Sequence, residues 1–302
     1  MKLVIAGGTG FIGSALCSKL IAQGHSLTVL TRSTSPATPT TDKKWITWNA
    51  ETGGAWEAAI EGADGVINLA GEPIAAKRWT ATQKERIRSS RINATRAVVG
   101  AIGKAQQKPK FLLNASAVGY YGPRGDEMTA EKDGPGNDFL ARVCIDWEEE
   151  AKKAERHGLR VLRLRTGIVL GKGGGALAKM ILPFKLFVGG PLGTGSQWMP
   201  WIQLEDEVGL MLFLLENPNA QGAFNAVAPN PVTMTEFCKT LGHVLRRPSW
   251  APVPAFALRL LLGEMAEMLL TGQRVLPANA QKLGYHFKYP ALLEALQSLR
   301  LE

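Results

Sequence analysis

The apolar run Leu3 to Ala6 passes straight into Gly7-Gly8-Thr9-Gly10-Phe11-Ile12-Gly13, and a helix-like run follows from Phe11 to Gln23. Few folds call for three glycines at three-residue spacing between a strand and a helix. Gly7 allows the tight turn out of the strand, Gly10 lets backbone approach an anionic group, and Gly13 lets the helix pack closely on the sheet. The helix N-terminus adds unpaired N–H groups and a partial positive charge, which suit a pyrophosphate. Strand, turn and helix in this order predict a dinucleotide site formed by Gly7, Gly8, Thr9, Gly10, Phe11, Ile12 and Gly13.

The end of the next strand selects the dinucleotide. Ser26 to Leu30 alternates and is β-prone, and it ends at Thr31-Arg32-Ser33, where a site preferring NAD would carry a carboxylate for the ribose 2′-hydroxyl. No carboxylate is there. Arg32 can pair with a 2′-phosphate, with Thr31 and Ser33 as hydrogen-bond donors, so NADP is the expected cofactor. One charge-assisted contact contributes about 1.5–3 kcal/mol, roughly one to two decades of preference.

Strands and helices continue to alternate as a parallel sheet requires. The pattern predicts strands at Lys44–Trp48, Gly65–Leu69, Lys110–Ser116 and Leu159–Thr166, with helices over Thr80–Gln106 and Asp138–His157. Leu69, Ala70 and Gly71 close the fourth strand with residues small enough for a cofactor to approach backbone. Beyond Gly167 the composition shifts to glycine- and proline-punctuated segments. The expected architecture is α/β: a Rossmann-type doubly wound domain over residues 1–166, and a smaller mixed α/β substrate part over 167–302 that returns some segments to the sheet.

With 302 residues the chain can bury a large core without staples. Cys17, Cys144 and Cys238 are widely spaced and form no C-x-x-C pair, so neither disulfides nor a metal site is expected. The net charge of +9 is spread among acids or concentrated on Lys77–Arg96 without a nucleic-acid module, which argues for an anionic small molecule instead of nucleic acid. Ala255–Leu270 is interrupted by Arg259, Glu264 and Glu267, so it reads as amphipathic helices and not as a membrane span. The start Met1-Lys2-Leu3 enters a strand at once, and a cytoplasmic location is expected.

Several motifs together resemble the extended short-chain dehydrogenase/reductases, and within them the atypical epimerase-family proteins sometimes labelled as cell-division-inhibitor relatives. These are Gly7-Gly8-Thr9-Gly10-Phe11-Ile12-Gly13, Asn68-Leu69-Ala70-Gly71-Glu72-Pro73-Ile74, Trp147-Glu148, Arg165-Thr166-Gly167, Gln197-Trp198-Met199-Pro200-Trp201-Ile202 and Gly272-Gln273-Arg274-Val275-Leu276-Pro277. The resemblance implies a Ser, a Tyr and a Lys as catalytic groups, with Thr166 beside the cofactor. Ser116, in Asn114 to Gly122 after the fifth strand, takes the serine position; a strand-end turn former is the other reading. The Tyr-x-x-x-Lys pair is missing, because Leu140 and Cys144 stand where it belongs. Tyr120 and Tyr121 are the expected substitutes in proton transfer, with core packing as the alternative, and Cys144 is expected to be inert packing. Arg91 stands where relatives often carry an asparagine near the nicotinamide half, so it reads either as a cofactor contact or as a helix-surface charge.

For substrate binding the expected residues are Glu72, Trp198, Trp201, Gln203, Asn225 and Arg274. Two indoles and two amides suit an apolar or ring-bearing ligand, Arg274 suits its phosphate or carboxylate, and the tryptophans read equally as core. Asp206 is expected to cap a helix beginning at Glu207. The functional expectation is an NADP-binding oxidoreductase or epimerase of a small polar substrate. The alternative is a catalytically idle relative whose NADP occupancy regulates a protein partner.

Overall fold

The computed structural model describes residues 1–32 and 42–301. Its centre is a seven-stranded, wholly parallel sheet of β1 (Lys2–Ala6), β2 (Ser26–Thr31), β3 (Lys43–Thr47), β4 (Gly65–Asn68), β5 (Phe111–Ala117), β6 (Arg160–Thr166) and β7 (Gly222–Ala226). The spatial order is β7-β6-β5-β4-β1-β2-β3. The strand order therefore reverses at β1, between β2 and β4. In an open parallel sheet that point opens a crevice at the carboxyl ends of the strands.

The strands are apolar on both faces because helices cover both. Leu3 and Ile5 pack with Leu16, Cys17 and Leu20 of α1 (Phe11–Ala22), whereas Val4 and Ala6 face Ala94, Val98 and Ile102 of α2 (Ala81–Lys104). Helix α2 starts where Thr80 accepts from the Gln83 N–H at 3.1 Å, and α3 (Phe139–Lys152) starts where Asp138 accepts from Ala141 at 2.7 Å. Such caps satisfy otherwise orphaned donors. The predicted helix to His157 ends earlier: after Lys152 a 3₁₀ turn leads to Gly158, whose φ of +80° stops it.

The second half is tied into the first. Helix α4 (Gly175–Lys185) precedes α5 (Leu204–Glu216), which packs beside α1, and β7 returns the chain to the edge of the sheet. Three two-stranded pieces bind the rest: Ile168–Leu170 with Trp201–Gln203, Trp198–Met199 with Val232–Thr233, and Met128–Thr129 with Arg274–Val275. Helices α6 (Met234–Leu245), α7 (Ala255–Leu262), α8 (Glu267–Leu270), α9 (Ala278–Lys282) and α10 (Leu292–Ser298) complete this part. Helix α5 begins at Leu204 with Gln203 as its cap, not at Glu207 with Asp206. Asp206 instead accepts from the backbone N–H groups of Lys288 and Tyr289 at 2.7 and 2.8 Å, fastening the C-terminal segment. Among the described residues no helix is long and apolar enough to cross a membrane.

Candidate functional site

The cleft at the switch point is lined by backbone. A Cβ on Gly7, whose φ is +80°, would lie 2.6 Å from the Leu69 carbonyl carbon and 2.9 Å from the Ala70 nitrogen, so the turns after β1 and β4 meet without room for a side chain. On Gly13 it would lie 2.2 Å from the Gly7 oxygen and 2.8 Å from the Gly8 Cα, which is the close helix–turn packing that the spacing predicts. Gly10 donates its N–H to Gly7 O at 3.1 Å, and Thr9 and Gly10 are exposed at the mouth of α1. The Phe11 ring turns away to the second half, where it abuts Gly171, Gly174 and Gly175. Thr31 is buried at the end of β2, Arg32 is exposed immediately after it, and Ser33 lies outside the described residues.

On the α2/α3 side, the ends of the central strands turn polar. Asn68 of β4 donates to Asn114 of β5 at 2.7 Å and to Thr95 of α2 at 3.0 Å, and its own oxygen accepts from the Ala70 N–H at 3.2 Å. This links buried side-chain hydrogen bonds to the backbone bordering the cleft. Trp147 of α3 donates to Thr95 as well, at 2.9 Å. The Glu72 backbone N–H donates to Ser90 Oγ at 3.0 Å, and Glu72 stands half-buried beyond Gly71.

Arg91 rests on this wall. Its guanidinium carbon would be 3.2 Å from a Cβ on Gly71, its Nη1 donates to Ile87 O at 2.8 Å, and it lies 5.2 Å from the centre of the Trp147 ring. Burial pulls its pKa below the ordinary arginine value, while Cys144 and Glu72 act in the opposite direction. A solvated helix-surface charge is therefore not its setting. Cys144 is buried, and burial together with Glu148 pushes its thiol up to about 12. A neutral thiol with no activating cation strong enough to lower it is packing, and Leu140 beside it packs against Gly119.

The residues after β5 enter a buried ionic knot. Glu148 of α3 accepts from both Arg165 Nε at 2.7 Å and Arg165 Nη2 at 2.9 Å, from Arg163 Nη1 at 3.1 Å and from Ser116 Oγ at 2.8 Å. Arg165 is 3% exposed and Glu148 2%. Burial works against the Arg165 charge, but the Glu148 carboxylate outweighs it and holds the guanidinium above its ordinary value. Arg165 also donates to Tyr121 OH at 2.9 Å, and that hydroxyl donates to Asn225 Oδ1 at 2.7 Å. Burial pushes the Tyr121 phenol up to about 12 against the pull of Arg165 and Asn225.

This geometry separates the two tyrosines. Tyr121 is fully buried with its hydroxyl both donating and accepting, so it is a structural strut at the expected catalytic position. Ser116 is buried too, with its proton directed at Glu148. Tyr120 is half-buried, stacks on the Arg165 guanidinium at 3.5 Å, and its hydroxyl has no protein partner among the described residues. It is the phenol that remains open to a reactant.

Of the expected substrate residues, three belong to the interior. Trp201 is fully buried in the second-half core and donates to Asn230 O at 3.2 Å, Gln203 is the buried cap of α5, and Asn225 is buried between Tyr121, Leu276 and Glu131. Their polar atoms are committed to protein partners, which corrects the expectation that they face a ligand. Trp198 and Arg274 do meet, with the guanidinium 4.4 Å from the indole centre, while Trp198 Nε1 donates to Asp126 at 2.7 Å.

Thr166, at the end of β6, donates to Glu207 of α5 at 2.8 Å. Glu207 is wholly buried, burial pushes its carboxyl up to about 8, and its second oxygen has no partner among the described residues. Glu148, Arg163, Arg165 and Glu207 were not assigned roles from sequence. A signal existed: Arg163 and Arg165 share one face of β6, and Glu148 lies on the apolar stripe of α3 with Ala141, Cys144 and Ala151.

Residues 3–227 match the model of the NAD dependent epimerase/dehydratase family, and residues 253–299 match a domain of unknown function (DUF1731). The chain is 46% identical over 304 residues to the chloroplastic homolog of epimerase family protein SDR39U1 from Arabidopsis thaliana, covering 99% of this chain and 86% of that protein. The crystal structure of human epimerase family protein SDR39U1 (isoform 2) with NADPH has a TM-score of 0.90 at 35% identity, with 99% of each chain covered. The crystal structure of the nucleoside-diphosphate sugar epimerase from Corynebacterium glutamicum has a TM-score of 0.78 at 32% identity, covering 99% of this chain and 58% of that one.

Proposed function

We propose that this chain, which belongs to the NAD dependent epimerase/dehydratase family, binds NADP at the carboxyl ends of β1, β2 and β4 and acts as an oxidoreductase or epimerase on a small polar, anionic substrate. The observation that carries this reading is the cradle in which Gly7, Gly13 and the Leu69–Ala70 backbone leave no space for a Cβ. Such a surface fits a pyrophosphate at the N-terminus of α1. Arg32, with no carboxylate beside it on Thr31, favours the 2′-phosphate, and the related human protein was crystallised with NADPH.

A nicotinamide bound there supplies hydride transfer. This chain's residues supply the rest. Tyr120 holds or takes the proton at its phenol oxygen, its ring fixed against the buried Arg165 guanidinium. Arg91, held against Gly71, provides a fixed cation on the wall where the family's lysine is lacking. Arg274 stacked on Trp198 is the group for a substrate phosphate or carboxylate. A nucleoside diphosphate sugar is the first class to try, because the Corynebacterium relative is an epimerase of that class.

The test is turnover of NADPH with carbonyl metabolites and of nucleoside diphosphate sugars by the purified protein, alongside Tyr120→Phe. Activity that falls roughly a hundredfold in the variant, the scale of a general acid or base, supports the reading. Tight NADPH binding with no turnover of any substrate would favour the regulator instead, and unchanged activity in Tyr120→Phe would remove Tyr120 from the mechanism.

A further inference from the structure

A cavity of about 810 Å³ opens between the end of α6 and the C-terminal residues, lined by His243, Arg246, Arg247, Gln297 and Arg300 among others. It shares no residue with the cleft described above, and none of the described residues that line it is acidic. Among the described residues no ion pair involves any of these three arginines. Three cationic side chains thus line one concavity, and an anion bound among them would relieve their mutual repulsion.

The backbone holds them there. Arg246 and Arg300 have φ of +53° and +46°, and Phe187, the other described non-glycine residue in this region of φ, carries the Arg247 guanidinium 4.7 Å from its ring centre. All three left-handed non-glycine residues thus belong to this cavity or brace its wall. Arg246 is the left-handed cap that ends α6, and Arg300 directly follows the cap of the helix Leu292–Ser298, so both helices stop where these side chains line the cavity. A cation at a helix C-terminus ordinarily serves the helix's own carbonyls. Arg247 does so, donating to Arg246 O at 3.0 Å, but the guanidiniums of Arg246 and Arg300 donate to no acceptor among the described residues.

We propose that this cavity binds a small molecule bearing two or more phosphate groups. Guanidinium forks match phosphate oxygens two at a time, and the volume is that of a small-molecule pocket, whereas an extended polyanion would be followed by a continuous basic track. Calorimetric titration of inorganic pyrophosphate into protein saturated with NADPH, and into Gly13→Val protein whose cofactor cradle is filled, tests this independently of cofactor binding. We expect one equivalent to bind in both, and binding to weaken at least about tenfold in Arg246→Gln/Arg300→Gln. Both positions are exposed, so the melting temperature of the double variant should match the parent's. ADP binding more tightly than pyrophosphate would assign the site to a nucleotide, and equal binding to the polyphosphate group alone. The proposal is overturned if pyrophosphate fails to bind NADPH-saturated protein, if the double variant binds it as the parent does, or if only a single-stranded oligonucleotide binds in an arginine-dependent way.

Discussion

At the ends of β1 and β4 the cleft is made of backbone: Gly7, Gly13, Leu69 and Ala70 approach so closely that shape alone defines the surface. At the ends of β5 and β6 it is made of side chains, with Ser116, Tyr121, Arg165 and Glu148 bound to one another in the interior. The first region offers a surface set by backbone shape, and the second spends most of its polar side-chain groups on the protein. The proposed catalytic role in the second region therefore falls to the phenol whose hydroxyl is left over, that of Tyr120.

The contrast is sharpest if each region is broken separately. Gly13→Val drives a branched side chain into the Gly7 and Gly8 backbone, and NADPH affinity measured by calorimetry should fall at least about a hundredfold. Parental affinity in that variant would show that the cradle is not the binding surface. Glu148→Gln should act on stability instead. Leaving Arg165 buried without its carboxylate costs about 3–5 kcal/mol in denaturant unfolding, while NADPH affinity stays within about threefold because the cradle is untouched. A loss of NADPH binding as large as the loss of stability would show that the two regions are one unit.

Glu207 gives a pH-dependent version. Its folded pKa is raised from the ordinary 4.5 to about 8, so the folded chain keeps a proton that the unfolded chain releases. Stability is therefore highest below about pH 4.5 on this account and declines as pH rises through 8. Glu207→Gln should flatten that decline and raise stability near pH 8 by on the order of 2 kcal/mol. Identical pH profiles for parent and variant would place the decline elsewhere. The smallest effect is expected from Arg32→Asp, which turns an attraction for the 2′-phosphate into a repulsion and should weaken NADPH about tenfold with little change for NADH. An equal loss for both cofactors would assign Arg32 to the fold and not to the choice between them.

The glycine spacing at positions 7, 10 and 13, the strand and helix alternation, and the helices that begin near Thr80 and Asp138 were legible in the chain because each is set by neighbours a few residues away. The same local logic exposed the lack of the usual pair at Leu140 and Cys144. It did not reveal what fills the gap. Arg165 finds Glu148 across 17 residues, Tyr121 finds Asn225 across 104, and Trp201 enters a core completed by Leu292 and Leu296 near the C-terminus. Periodicity and backbone preferences act along the chain, so sequence alone determined the sheet, its cradle and the cofactor preference it proposes. The partner of a buried charge is chosen by strand order and register, so only the tertiary structure could turn Tyr121, Gln203 and Asn225 inward and leave Tyr120 with an open hydroxyl.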